Sequence, residues 1–120
     1  SKTEHADYVS ECWIQKRWSA SITPKGGFFC EVAAAQDMLF DGPGGYALTN
    51  DWWNKTPSEF SDQVERYCKN CSACIPLPKV SALEKVDYVS QTNLKKLIDI
   101  GSPKLAKKLI RYRNENILFI

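Results

Sequence analysis

Tyr67-Cys68-Lys69-Asn70-Cys71-Ser72-Ala73-Cys74 gathers three of the chain's five cysteines into seven residues at the end of a predicted helix. Cysteines two residues apart can aim their sulfurs and nearby backbone N–H groups into one concavity, as thiolate-bound metals require. The other two thiols, Cys12 and Cys30, lie upstream, and the intervening chain reads as a means of bringing them to this stretch. An odd cysteine count argues against the closed disulfide framework of a secreted domain. The CxxC spacing then favours metal or redox chemistry.

Working back towards the N-terminus, Trp13, Ile14, Trp18, Ala20 and Ile22 suit a strand. Thr23-Pro24-Lys25-Gly26-Gly27 supplies a turn and Phe28-Phe29-Cys30 resumes the pattern, which predicts a β-hairpin with Cys12 and Cys30 near the same end. Residues 1–11 read as an irregular arm in which only Tyr8 and Val9 could pack. Glu31 to Phe40 is rich in helix formers, with Val32, Ala35 and Leu39 predicted to share the apolar side.

Asp41-Gly42-Pro43-Gly44-Gly45 excludes regular structure. It could offer N–H groups to a phosphate or a cluster sulfide, but it matches no P-loop pattern and reads as a connector. Trp52 and Trp53 are expected as core or lid. Thr56-Pro57-Ser58-Glu59 is the clearest helix start, with Thr56 as cap and Glu59 completing a capping box. Phe60, Val64 and Tyr67 then fall on one face.

Ile75-Pro76-Leu77-Pro78 is extended by its prolines and divides the chain into 1–78 and 79–120. Beyond it, Ser81 to Glu84 offers a second capping box. Thr92-Asn93 is predicted to open a helix through Leu94, Leu97 and Ile98 that ends at Gly101. Ser102-Pro103 is predicted to open a last one carrying Leu105, Leu109 and Ile110. The expected class is α+β: a small hairpin followed by short helices around a cysteine-ligated metal site, then a basic helical extension.

With 120 residues, 43% hydrophobic and 25% charged, the chain is of single-domain size with a thin core. The net charge of +2 hides an asymmetry: seven Lys/Arg against ten Asp/Glu up to Pro78, nine against four thereafter. No apolar run approaches the roughly 20 residues of a membrane span, and the N-terminus carries no basic-then-apolar signal pattern. A soluble, cytoplasmic protein with no membrane partner is expected. Ser1 in place of Met suggests a processed chain or a segment of a longer one.

Other chemistries receive less support. A Cys-His nucleophile would require the arm carrying His5, the single histidine, to fold back onto the core. Asp37 and Asp41, one turn apart, could share acid-base work, but caps and surface positions are the commoner uses of such residues. Lys104, Lys107, Lys108, Arg111 and Arg113 crowd the tail; this reads as a solvated face, and nucleic acid is not expected as a partner.

Spacing alone leaves a four-thiolate zinc site, an iron-sulfur cluster and disulfides open. However, Cys12, seventeen residues, Cys30, a longer gap and then Cys68-x-x-Cys71 resembles the auxiliary-cluster region of radical SAM enzymes, their C-terminal SPASM and shorter twitch domains. Ser19 to Cys30 is similar to that family's strand, glycine turn, strand and Cys; Tyr67 to Cys71 is similar to its closing knuckle. The match covers roughly residues 10 to 75.

The resemblance implies a hairpin and helix around one [4Fe-4S] cluster of the twitch form, with Cys12, Cys30, Cys68 and Cys71 as ligands. Cys74 departs from the pattern, either as a spare thiol or as a replacement for Cys71. The family's SAM-binding CxxxCxxC motif is absent, which implies a non-catalytic domain partnered with the barrel of a parent enzyme acting on a small molecule or peptide. Four thiolates leave no iron open to substrate, so electron transfer or support is implied; three would leave one open. Lys16, Arg17, Lys25, Arg66 and Lys69 would offset the cluster's charge if they fold near it, or remain solvated.

Overall fold

The computed structural model describes residues 2–16, 19–75, 81–112 and 117–119, with only the backbone described at 2–4, 16, 112 and 117–119. Helices and two small sheets make the fold α+β. The chain divides into two compact units: Ser10–Lys69, the hairpin unit, and Ser1–Val9 with Asn70–Ile120, the sheet unit. Trp18 and the prolines of the expected boundary, Pro76 and Pro78, lie outside the described residues.

In the hairpin unit, strands β1 (Ser21–Thr23) and β2 (Gly26–Phe28) pair antiparallel, Ser21 opposite Phe28 and Thr23 opposite Gly26. This hairpin is shorter than the sequence suggested. Trp13–Lys16 forms a helical turn, α2, entered by a Gln15 N–H to Cys12 carbonyl bond of 3.1 Å, so Cys12 does not lie on a strand. Ile14 is buried on this turn while Trp13 stays exposed.

The far edge of β2 is closed by two different devices. Gly27 exchanges backbone hydrogen bonds with Tyr46 at 2.9 and 2.8 Å. Buried Gln63 then imitates a strand: its Oε1 accepts from the Phe29 N–H and its Nε2 donates to the Gly27 carbonyl, both at 3.0 Å. Closing an edge in this way removes a template for pairing with other chains.

Helix α3 (Glu31–Leu39) packs on both strands and on helix α4 (Ser61–Tyr67). Its buried side is Ala33, Ala34, Gln36 and Asp37; Ala35 is exposed and Val32 half-buried, so the expected stripe is displaced. Two alanines let the helix approach the strands closely, and Asp37 is buried because it has polar partners. The core is Ile14, Phe28, Phe29, Cys30, Ala33, Ala34, Phe60 and Tyr67. Phe29 stacks on Phe60 with centroids 4.8 Å apart, and Phe28 meets Tyr67 edge-on at 6.2 Å.

The predicted start of α4 forms in half. Glu59 accepts from the Thr56 N–H and hydroxyl at 3.2 and 3.0 Å, which holds its carboxyl below the usual range. Residues 57–60 remain a turn, however, and the helix begins at Ser61. Of the tryptophan pair, Trp52 is buried and Trp53 exposed.

In the sheet unit, β3 (Asp87–Ser90), β4 (Leu109–Tyr112) and β5 (Ile117–Phe119) form a sheet in that order, β3 parallel to β4 and β4 antiparallel to β5. Helix α5 (Gln91–Asp99) connects the parallel pair and packs on both strands. Ser90 caps it through a 3.1 Å bond from the Asn93 N–H. Its end is a full Schellman closure: Gly101 N–H to Ile98 carbonyl and Ser102 N–H to Leu97 carbonyl, both 3.0 Å, with Gly101 at φ +64°.

Two expectations fail in this unit. The arm 1–11 is largely helical, α1 (Lys2–Ser10). The last predicted helix is a 3-10 turn, Pro103–Ala106, followed by strand β4, with Leu109 and Ile110 buried. Leu-Ala-Lys-Lys-Leu-Ile has ample helix propensity, but two flanking strands give Leu109 and Ile110 more burial than a solvated helix would. The C-terminal segment is therefore mixed, not simply helical. Among the described residues, no helix is long and apolar enough to cross a membrane.

Candidate functional site

Three thiols lie in the hairpin unit, each at the end of an element. Cys12 precedes α2, Cys30 occupies the N-cap of α3 and Cys68 the C-cap of α4. Cys30 belongs to the core itself, and half-buried Cys12 and Cys68 pack against that same core. Cys30 adopts an extended backbone and its Sγ accepts the Val32 N–H at 3.3 Å, the role serine plays at other helix starts. Burial pushes its thiol pKa up; the Ala33 and Val32 N–H groups oppose this, while the charges of Cys12 and Glu31 add to it.

Cys71 and Cys74 belong to the sheet unit, since the division falls between Lys69 and Asn70. Cys68–Asn70 is a 3-10 turn. The N–H to sulfur turn lies one step further on, where the Ala73 N–H donates to Cys71 Sγ at 3.3 Å. His5 completes this corner. It is buried on α1, with Nε2 2.8 Å from the Cys71 carbonyl and 3.9 Å from Cys74 Sγ. Within the sheet unit the arm thus brings its histidine to the Cys71–Cys74 turn. Among the described residues, no three His, Cys, Asp or Glu side chains stand together as a ready-made metal site.

Sequence reasoning missed a polar network at the centre of the hairpin unit. Asp37 is fully buried. Its Oδ1 accepts from the Tyr67 hydroxyl at 2.8 Å and from the Gly44 N–H at 2.9 Å, and Lys25 Nζ lies 3.2 Å from Oδ2. Burial alone would raise the carboxyl pKa; the Gly44 N–H, the Tyr67 hydroxyl and Lys25 together bring it below the ordinary value. Tyr67, buried and facing a carboxylate, is pushed up to about 12.

The glycine loop therefore does cradle an anion, and the anion is the chain's own. Gly42 N–H bonds the Asp37 carbonyl at 2.8 Å, Gly45 N–H the Lys25 carbonyl at 3.0 Å, and Gly44 at φ +91° turns its N–H to the carboxylate. Lys25 also donates to the Gly42 carbonyl and lies 3.5 Å from exposed Asp41. Asp37 and Asp41 thus share a lysine. An aspartate inside an alanine-rich helix that runs into a glycine loop was the available signal.

Of the other basic neighbours, Arg66 lies 5.7 Å from the Tyr67 ring centroid and Lys69 is exposed. Arg17 lies outside the described residues, as does Arg113 of the tail. Lys104 pairs with Asp87 at 2.8 Å, and Lys107 and Lys108 are exposed. No protein-family model, curated protein or solved structure matches this chain.

Proposed function

We propose that the chain is an auxiliary iron-sulfur domain of twitch or SPASM type, serving electron transfer or substrate-site support in a cytoplasmic radical SAM enzyme. The observation that carries this reading is that Cys12, Cys30 and Cys68, from three separate segments, border one core. Thiolate donors suit the chemistry of such a cluster. Cys12, Cys30 and Cys68 would hold it from the hairpin unit.

When bound, a [4Fe-4S] cluster accepts and releases single electrons. The chain's own contribution is positional and electrostatic. Cys30, fixed by helix α3, keeps an N–H directed at its sulfur, and Phe28, Phe29 and Phe60 exclude water from that side. The partner domain is the SAM-binding barrel of the parent enzyme, and the substrate a small molecule or peptide.

A second reading, a zinc-stapled interaction module, is favoured by buried His5 beside Cys74, because imidazole with thiolate is a common zinc donor set. Anaerobic reconstitution with iron and sulfide separates the two. The cluster reading expects a brown protein absorbing near about 400 nm with stoichiometric iron and sulfide. A colourless chain that retains one zinc and no sulfide after the same treatment would establish the alternative.

A further inference from the structure

We infer that Tyr67, gripped at both ends by helix α3, is the positioning residue that fixes Cys68 with respect to Cys30. The inference rests on the reading of these thiols as ligands. Cys30 and Cys68 sit at element ends, where helices fray, and Cys68 is both the C-cap of α4 and the first residue of the 3-10 turn. A ligand there is only as well placed as the residue before it.

Tyr67 is held twice. Its carbonyl accepts from Gln36 Nε2 at 3.3 Å, and its hydroxyl donates to Asp37 at 2.8 Å. Both partners are adjacent residues of α3, the helix whose first turn Cys30 caps. Asp37 is itself immobilised by the Gly44 N–H and Lys25. Main chain and side chain of one residue are thus pinned to the helix that carries Cys30, and Gln63, one turn earlier in α4, bonds β2 just ahead of Cys30. The hydrogen-bonded frame joins the two cysteines without using either sulfur.

The test uses the full chain and Tyr67→Phe, which removes one hydroxyl, with Asp37→Asn as the second variant, since asparagine still offers Oδ1 to that hydroxyl. Iodoacetamide labelling of the metal-free protein, resolved by peptide mass spectrometry, reads each thiol separately. In Tyr67→Phe, Cys68 labelling is expected to accelerate several-fold while Cys12 and Cys30 keep their rates, and Asp37→Asn should fall between this variant and the parent. Simple destabilisation would accelerate all three together and would overturn the inference, as would a Cys68 rate equal to the parent's. If Tyr67→Phe does not fold, Asp37→Asn alone decides by the same comparison.

In parallel, Zn²⁺ competition against a chromophoric chelator should show about 10-fold weaker binding in Tyr67→Phe, the usual cost of losing a group that orients ligands. Unchanged affinity in a parent that does bind metal would overturn the inference and leave the cluster reading intact. A parent that takes up neither zinc nor cluster removes that reading, and the labelling contrast still decides whether Tyr67 positions Cys68.

Discussion

The two units solve the same problem with different materials. The sheet unit follows common rules: a βαβ connection, a serine cap, a glycine closure and apolar residues where helix meets sheet. The hairpin unit has only three-residue strands, and polar side chains complete what they cannot. Gln63 supplies a missing strand edge, and Asp37 binds a loop, a lysine and a tyrosine at once. When regular structure is short, buried polar groups take over the specification of shape, and their loss costs correspondingly more.

Asp37→Ala gives the largest expected effect. It strands a buried lysine contact, a tyrosine hydroxyl and an N–H, for a loss of about 3–5 kcal/mol. All four tryptophans fall between Ser10 and Lys69 in the sequence, with Trp13, Trp52 and Trp53 described in the hairpin unit, so urea unfolding followed by tryptophan fluorescence should report it. Amide exchange in β3 and β4 should stay at parental rates; a matching loss there would remove the distinction between the units.

Ile110→Ala is the mirror experiment. Ile110 is buried and stands opposite Tyr88 and Phe119 in backbone register, and the cavity should cost about 2–4 kcal/mol, seen in sheet-unit amide exchange with the tryptophan signal unchanged. Gly101→Ala places a Cβ at φ +64° in otherwise open space, and backbone strain alone should cost about 1 kcal/mol by the same measurement. Ser90→Ala should cost about as much through loss of the cap.

The pH dependence sharpens the contrast further. Asp37 has a lowered native pKa, so its contribution is complete above the ordinary carboxylate range near pH 4 and fades as pH falls through the native value. Acid unfolding read by tryptophan fluorescence should show this loss, and Asp37→Asn should flatten it. Tyr67, raised to about 12, contributes below about pH 10 and loses its contribution as pH climbs towards that value.

Local signals were legible in the sequence, and partnerships across the chain were not. Pro24 to Gly27 marked the hairpin, Gly101 marked a helix end and the alanines marked α3, because each acts within a few residues. Strand β4 was mistaken for a helix because its pairing partners, β3 and β5, outweigh its own propensity. Asp37 reads as a cap or surface residue because nothing within a turn of it announces Tyr67, thirty positions on. The thiols themselves were conspicuous, yet the arrival of His5 beside Cys74 depended on a helix whose pattern carries no apolar stripe.

On the proposed cluster reading, the sulfur at the head of helix α3 would belong at once to architecture and to inorganic chemistry. An oxygen-for-sulfur exchange at that atom, Cys30→Ser, would leave the backbone a partner of the same kind while withdrawing the soft, polarisable donor. The hairpin unit should then keep its contours and lose only its appetite for thiophilic ions, a separation that truncation to alanine at the same position could not achieve.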